Sequence, residues 1–243
     1  MAKTVLITGA SRGIGAAIAC EFAKEGYNLS LCCRNSKEEL DTLQKRLVDQ
    51  YHITVKTYTG DVADYDFVEQ MVLQTLETFG NIDVLINNAG ISHIGLLSDM
   101  SVEEWNRMVG VNLTSVFSTC KCVIPSMVSR KQGKIINISS VWGNVGASCE
   151  VAYSACKGGM NSFTKALGKE LAPSNIQVNA IACGVIDTQM NACFSEEERL
   201  ELIHEIPAGR MGTPEEVARL ALMLASGNHY LTGQIVTLDG GWI

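Results

Sequence analysis

Short apolar runs alternate along this chain with longer segments in which apolar residues recur every three or four positions. The short runs have the length of buried strands, and the longer segments have the period of amphipathic helices. The predicted strands cover residues 5–7, 29–33, 53–58, 84–86, 135–138, 176–181 and 235–237. The predicted helices cover residues 14–24, 37–48, 65–79, 111–129, 152–171 and 214–225. Because alternating strands and helices form βαβ units, we predict an α/β fold: one doubly wound domain over residues 1–243, with a seven-stranded parallel sheet and helices on both faces.

Composition and charge narrow the class of protein. Hydrophobic residues make up 47% of the 243 positions, which is too large a share for a disordered chain. The net charge of −7 argues against non-specific binding to nucleic acid. No apolar run approaches the roughly 18–20 residues that cross a bilayer, and the first residues lack the apolar stretch of a secretory signal. We therefore expect a cytoplasmic protein that contacts neither nucleic acid nor membrane.

The nine cysteines are irregularly spaced along the chain. Zinc sites commonly use Cys-x-x-Cys pairs or clustered histidines, and the sequence has neither pattern. Without a signal for an oxidising compartment, thiols are expected to stay reduced and to pack as small apolar side chains. We therefore predict no metal site.

A glycine-rich turn follows the first predicted strand and opens the first predicted helix. Gly9, Gly13 and Gly15 have the spacing Gly-x-x-x-Gly-x-Gly. Glycines allow a tight turn and close approach of backbone to phosphate, and a helix N-terminus offers free N–H groups to an anion. The turn therefore predicts a site for the pyrophosphate of a dinucleotide.

The residues after the second predicted strand indicate which dinucleotide binds. An NAD site usually places a carboxylate there for the ribose hydroxyls, whereas an NADP site uses arginine for the 2′-phosphate. Arg34 and Asn35 occupy this position, and Arg12 adds a second guanidinium inside the glycine turn. Since guanidinium groups match phosphate oxygens, we predict NADP(H) rather than NAD(H).

Tyr153 and Lys157 are four residues apart in a predicted helix and therefore share one helix face. Ser140 follows the fifth strand, at the carboxyl edge where doubly wound folds bind ligands. A tyrosine with its ordinary pKa near 10 exchanges protons poorly at neutral pH, and a neighbouring ammonium lowers that pKa. The three residues therefore predict an acid–base site.

These motifs, with Asp61-Val62, Asn87-Asn88-Ala89-Gly90 and Asn112, resemble the short-chain dehydrogenase/reductase family over essentially the whole chain. The resemblance implies a Rossmann fold and hydride transfer between a nicotinamide and a carbonyl carbon. It also implies four catalytic residues. Tyr153 would give a proton to the substrate oxygen, Lys157 would hold the nicotinamide ribose and tune Tyr153, Ser140 would bind the substrate oxygen, and Asn112 would hold a relay water.

The same resemblance implies the cofactor contacts. Asp61 and Val62 would meet the adenine, and Asn88 would meet the adenine ribose and the neighbouring backbone. Cys183-Gly184 stands where the family usually has Pro-Gly beside the nicotinamide. The complete implied set for NADP(H) is Gly9, Ser11, Arg12, Gly13, Ile14, Gly15, Arg34, Asp61, Val62, Asn88, Ala89, Gly90, Tyr153, Lys157, Gly184, Ile186 and Thr188.

Two C-terminal segments, residues 210–217 and 231–241, are similar to 3-oxoacyl-[acyl-carrier-protein] reductases of fatty acid biosynthesis. This similarity implies a carrier-bound acyl substrate or a small-molecule ketone, and acyl carrier protein as a partner. Two features disagree with that partner. Only Lys131 of the two basic docking positions is present, since Ser174 occupies the other, and the substrate lid expected over residues 188–209 is acidic along residues 195–205.

The segment from Trp142 to Glu150 supports an alternative substrate. It resembles a subgroup that reduces the 5-aminopentanone group on a modified lysine of elongation factor P, and a carboxylate beside the site suits such a cation. The candidate substrate-binding residues are thus Ser140, Trp142, Glu150 and Tyr153. A third reading, a catalytically silent NADP-binding scaffold, is disfavoured because the four catalytic residues are all present.

The family resemblance also implies a homotetramer. The helices over residues 111–129 and 152–171 would pair across one two-fold axis, and the helix at Pro214 with the last strand would form a second contact. The apolar C-terminus, residues 240–243, would be better buried at that interface than in water.

Overall fold

A computed structural model describes residues 2–191 and 194–243. Seven parallel strands form one sheet in the order β3-β2-β1-β4-β5-β6-β7. The strands are β1 Thr4–Ile7, β2 Asn28–Cys33, β3 Val55–Thr59, β4 Val84–Asn87, β5 Gly133–Ser140, β6 Ile176–Cys183 and β7 Ile235–Leu238. The strand order reverses between β1 and β4, which opens a crevice at the carboxyl edge of the sheet. The predicted seven-stranded parallel sheet is confirmed.

Helices cover both faces of this sheet, as predicted. They are α1 Gly13–Lys24, α2 Lys37–Tyr51, α3 Tyr65–Phe79, α4 Val102–Val109, α5 Ser115–Arg130, α6 Trp142–Val145, α7 Val151–Leu171, α8 Glu196–Glu205 and α9 Pro214–Ser226. Alternate residues of a strand face opposite sides, so Ile7 belongs to the core with α1, α2 and α9, while Leu6 belongs to the core with α3, α5 and α7. Both residues are fully buried.

The helix predicted at residues 111–129 is part of a longer helical stretch. It begins with α4, passes through a π-helical turn at Gly110–Thr114 and continues as α5. Ser101 starts the stretch with a capping box, since its hydroxyl accepts from Glu104 N at 3.1 Å and the Glu104 carboxylate accepts from Ser101 N at 2.8 Å. The Ser-x-x-Glu pattern of that box is visible in the sequence, but α4 was not predicted.

Residues 102–130 are, within the described part of the chain, the one helical stretch long and apolar enough to cross a membrane. Half of its most apolar window is buried inside the protein. A core helix of this length passes the same test of length and composition.

The structure adds detail to two further predictions. The third strand starts at Val55 rather than at residue 53, because α2 ends on His52 in a left-handed conformation and pairing with β2 begins at Leu29 and Val55. The acidic segment of the predicted lid contains α8, which begins with a second capping box between Ser195 and Glu198. Residues 192 and 193 of the lid prediction lie outside the described residues.

Candidate active site

The glycine turn is a tight backbone cradle at the carboxyl end of β1. Gly9 and Gly13 have φ angles of +65° and +56°, in the left-handed region that favours glycine. A Cβ on Gly15 would lie 2.3 Å from the carbonyl oxygen of Gly9 and 2.6 Å from Asn88 Nδ2. The N-terminus of α1 opens directly from this turn. The cradle therefore fits a pyrophosphate group, as its spacing predicts.

Asn88 braces the turn from the neighbouring strand. Its Nδ2 donates to the carbonyl oxygens of Thr8 and Gly9, both at 2.9 Å. The Thr8 hydroxyl in turn accepts from the backbone N–H groups of Asn88 and Ala89, both at 3.0 Å. Of the two implied roles of Asn88, the structure therefore displays the contact with neighbouring backbone.

Of the two predicted arginines, Arg12 is the N-cap residue of α1 and reaches the loop after β2, in which Arg34 itself lies. Arg12 Nη1 donates to the hydroxyl of Ser36 at 3.5 Å, and Ser36 precedes α2. Arg34 is exposed, and its Nε lies 3.2 Å from Asp61 Oδ2. The loop after β2 thus has a guanidinium on either side, which suits a 2′-phosphate.

Asp61 has a second partner that the sequence analysis missed. Arg107 Nη1, on α4, donates to Asp61 Oδ2 at 2.6 Å. Although burial opposes the shift, hydrogen bonds from Ala63 N and Arg107, with the charges of Arg107 and Arg34, lower the pKa of Asp61. Nothing in local spacing could have found Arg107, because 46 positions separate it from Asp61.

The predicted catalytic set lies where β5 meets α7. Ser140, the last residue of β5, lies close enough to Tyr153 for its hydroxyl to affect the pKa of the phenol. Lys157 Nζ lies 5.5 Å from the centroid of the Tyr153 ring and donates to the carbonyl oxygen of Ile138 at 2.8 Å. Tyr153, Lys157 and Ser140 are therefore brought together as predicted.

The pKa values of this set differ from expectation in one respect. Burial, followed by Cys183 and Glu150, raises the pKa of Tyr153, although the nearby Ser140 side chain opposes the shift. Burial also lowers the pKa of Lys157 to about 8. In the chain by itself the pKa of Tyr153 is thus raised rather than lowered as expected, because desolvation of the phenolate is the largest cause.

Asn112 lies in the π-helical turn between α4 and α5 rather than in a regular helix. Its Nδ2 donates to the carbonyl oxygens of Ile91 at 3.0 Å and Met108 at 3.1 Å, and its Oδ1 accepts from Ile91 N at 3.1 Å. A Cβ on Gly90 would lie 2.9 Å from Asn112 Oδ1 and 3.8 Å from Lys157 Nζ. Gly90 therefore keeps the space between these two side chains open.

The other predicted cofactor residues follow the carboxyl ends of their strands. Because all seven strands are parallel, these ends lie along one edge of the sheet. The start of the predicted lid reaches the glycine turn there, since a Cβ on Gly13 would lie 3.5 Å from Thr188 Cγ2. The residues placed along this edge are Ser11 and Ile14 after β1, Val62 after β3, Ala89 after β4, and Gly184, Ile186 and Thr188 after β6.

Comparison with known proteins gives the family. Residues 3–199 match the family described as short chain dehydrogenase. The chain is 42% identical over 240 residues to 3-oxoacyl-[acyl-carrier-protein] reductase FabG of Chlamydia trachomatis, covering 98% of this chain and 96% of that protein. It is 42% identical over 242 residues to FabG of Thermotoga maritima, covering 99% and 98%. It is also 39% identical over 243 residues to the uncharacterized oxidoreductase YmfI of Bacillus subtilis, covering 100% and 99%. This chain belongs to the short-chain dehydrogenase family.

Membership confirms the resemblance seen in the sequence and makes the protein an oxidoreductase of a family that uses nicotinamide cofactors. The glycine cradle and the edge residues fit such a cofactor. Whether the chain prefers NAD(H) or NADP(H), and which substrate it takes, depend on the individual side chains around the site.

The two other predicted substrate-binding residues, Trp142 and Glu150, lie near Ser140 and Tyr153. Trp142 N donates to Ser140 Oγ at 3.2 Å. Burial raises the pKa of the half-buried Glu150, and the nearby Trp142 side chain opposes that rise. Glu150 is the N-cap residue of α7, but its side chain makes no capping hydrogen bond. The predicted substrate residues therefore adjoin one another.

The two positions predicted for carrier docking lie at the opposite edge of the sheet from Ser140. Lys131 precedes β5 and Ser174 precedes β6, and Asn175 Nδ2 donates to the carbonyl oxygen of Lys131 at 3.0 Å. Ser140 is the last residue of β5 and lies about 23 Å from Gly133, the first residue of that strand, at about 3.3 Å per residue. A carrier docked at Lys131 would thus lie at the edge of the sheet opposite the candidate active site of the same chain.

The cysteines of the described chain are free thiols. Burial raises the pKa values of Cys32, Cys120 and Cys183 to about 12 each, so these thiols are poor nucleophiles at neutral pH. The described residues contain no grouping of three or more metal-ligating side chains.

Proposed function

We propose that the protein is an NADPH-dependent reductase that converts a ketone to a secondary alcohol. The main observation is that Ser140, Tyr153 and the buried Lys157 ammonium lie together at the sheet edge that also holds the glycine cradle. The bound nicotinamide would supply the hydride. Ser140 and Tyr153 would then bind the substrate oxygen, and Tyr153 would donate its phenolic proton to that oxygen.

Tyr153 has the protonation state that a proton donor to a ketone oxygen requires. Because its pKa is raised, the phenol is neutral at pH 7, which is the form that donates a proton. Lys157 would hold the ribose through its ammonium, and Asn112 would hold a water that returns a proton from solvent. The reading as a silent scaffold has no observation in its favour.

The NADPH preference can be tested on Arg34. Replacing Arg34 by alanine is expected to lower kcat/KM with NADPH by about 10-fold to 100-fold, because a guanidinium–phosphate contact is lost. The rate with NADH should change less than threefold. Steady-state kinetics with both cofactors measure this, and Arg46→Ala on α2 serves as the control. An equal loss with NADH and NADPH, or equal use of the two by the unchanged chain, would contradict the assignment.

The first candidate substrate is a 3-oxoacyl thioester bound to acyl carrier protein, as the names of the Chlamydia and Thermotoga relatives suggest. Acetoacetyl thioester, free and carrier-bound, tests it through NADPH consumption. Carrier-bound substrate should be preferred if the carrier docks. Such an enzyme would act in fatty acid biosynthesis, and its cytoplasmic location stays a prediction.

The second candidate is a ketone that carries an ammonium group, such as the 5-aminopentanone on modified elongation factor P. The observation that favours it is Glu150, a half-buried carboxylate that lies near Trp142 and close enough to Tyr153 to raise the pKa of that tyrosine. An ammonium on the substrate would compensate that buried charge. The first turn of α8 contains Glu196, Glu197 and Glu198, and their negative charge would also attract an ammonium group.

Glu150→Gln separates the two candidates. With 5-amino-2-pentanone, we expect kcat/KM to fall about 10-fold, because an ion pair near the surface is lost while the hydrogen-bonding shape remains. With acetoacetyl thioester, kcat/KM should be unchanged. Glu170→Gln, on the exposed end of α7, is the control. A wild-type enzyme that reduces thioesters but not the aminoketone would remove the second candidate.

We also propose a homotetramer. Phe117 on α5 is 48% exposed and Met223 on α9 is 69% exposed, which leaves large apolar side chains in water on two of the predicted contact surfaces. Light scattering after size-exclusion chromatography should give the mass of four chains, and a monomer would contradict the proposal.

A further inference from the structure

The C-terminal tail, residues 239–243, lies against the segment that leads from Ser140 to Tyr153. The ring of Trp242 packs on the ring of Trp142 with a centroid distance of 5.0 Å and an angle of 59° between the planes. Aromatic rings at this distance and tilt attract each other beyond the burial of their area. The tail therefore has a specific contact with the substrate side of the site in the same chain.

Two further sets of contacts hold the tail in this place. The Asp239 carboxylate accepts from Gly241 N and Ile243 N, each at 3.0 Å, and so folds the tail into a turn. The carbonyl oxygen of Gly240 accepts from Ala208 N at 3.1 Å, just after the lid helix α8. The tail thus links the base of the lid to Trp142.

Trp142 is itself tied to the groups that meet the substrate. Its backbone N–H donates to Ser140 Oγ at 3.2 Å, and its side chain lies close enough to Glu150 to affect the pKa of that carboxyl. Movement of the Trp142 ring would therefore change the surroundings of Glu150 and loosen the turn that presents Ser140. In the described part of the chain, the ring contact and the Trp142 N–H bond therefore connect Trp242 to Ser140 by way of Trp142.

We propose that Trp242 is a positioning residue for substrate binding, which packs on Trp142 and thereby holds the wall of the ketone pocket formed by Trp142 and Glu150. The aromatic contact between the tail and the segment after β5 carries this inference. The kinetic part of its test rests on the proposed ketone reduction. The glycine cradle that would hold the pyrophosphate lies at β1, apart from this wall, so Trp242 should affect ketone binding more than NADPH binding.

The kinetic experiment compares Trp242→Ala with Trp242→Phe on whichever ketone the wild-type enzyme reduces best. Trp242→Ala should raise KM for the ketone about 10-fold and leave kcat and the KM for NADPH within about twofold. Trp242→Phe should restore most of the ketone KM, because a ring again packs on Trp142. Tyr230→Ala is the control, since Tyr230 is 97% exposed. An unchanged ketone KM in Trp242→Ala would overturn the inference.

A spectroscopic experiment tests the positioning without turnover. The chain has three tryptophans, so the ¹⁹F resonances of 5-fluorotryptophan protein can be assigned by single replacements of Trp105, Trp142 and Trp242. The Trp142 resonance should shift in Trp242→Ala and stay in place in Tyr230→Ala. An unmoved Trp142 resonance would overturn the inference for any substrate. A shifted resonance in an enzyme inactive on both candidate ketones would support the positioning and count only against the proposed function.

Discussion

Replacing Tyr153 by phenylalanine is expected to lower kcat/KM for ketone reduction by about 10³-fold, within the usual contribution of a general acid. The substitution removes the phenolic hydroxyl, while the ring beside Lys157 remains. Steady-state rates at saturating NADPH measure the loss. Fluorescence titration should give an NADPH affinity within about twofold of the wild type.

The matched control is Tyr230→Phe, which removes a hydroxyl from an almost fully exposed tyrosine. Its rate should equal that of the wild type. If Tyr153→Phe kept more than about a tenth of the wild-type rate, the proton would have to come from another group, and the role given to Tyr153 would be wrong.

The second large effect is expected at Lys157, where activity and stability should change in opposite directions. Lys157→Met should lower kcat/KM at least about 100-fold, because the ammonium that would hold the ribose is lost. Holding a charged lysine in this buried position costs roughly 3 kcal/mol, from a pKa lowered from 10.5 to about 8 at about 1.4 kcal/mol per unit. Methionine removes that cost and loses one hydrogen bond to Ile138, worth about 1 kcal/mol.

We therefore expect the free energy of unfolding at pH 7 to stay equal or rise in Lys157→Met. Chemical denaturation measures it, and Lys165→Met, at an exposed position of the same helix, is the control. A fall of more than about 2 kcal/mol would show that the charge stabilises the fold.

The wild-type protein should show the matching pH dependence. Above pH about 8 the folded chain has lost the Lys157 proton, while the unfolded chain keeps it up to about 10.5. The free energy of unfolding should therefore rise with pH across this window. Over the same window, reduction should slow as the ammonium disappears.

Much of the fold could be predicted because its signals are local. Apolar periodicity located the seven strands, and the spacing of Gly9, Gly13 and Gly15 located a turn that the structure shows to be too crowded for a side chain at Gly15. Tyr153 and Lys157 share a helix face by spacing alone. The position of Ser140 followed from the rule that parallel strands present their carboxyl ends at one edge.

The features that could not be predicted depend on contacts between distant residues. Arg107 on α4 pairs with Asp61, which follows β3. Trp242 follows β7 and packs on Trp142, which follows β5, two strands away in the sheet. The raised pKa of Tyr153 is also a property of burial, which spacing does not report. The π-helical turn at Asn112 could not be distinguished from a regular helix by the apolar pattern of the sequence.

The most direct test of the proposed chemistry follows the hydride itself. NADPH labelled with deuterium at the transferred position of C4 is incubated with the enzyme and each candidate ketone, and the alcohol is analysed by mass spectrometry. The proposed function predicts an alcohol with one deuterium on its carbinol carbon, formed by the wild type and lost in Tyr153→Phe. An alcohol without deuterium, or no alcohol from any ketone while NADPH still binds, would contradict it.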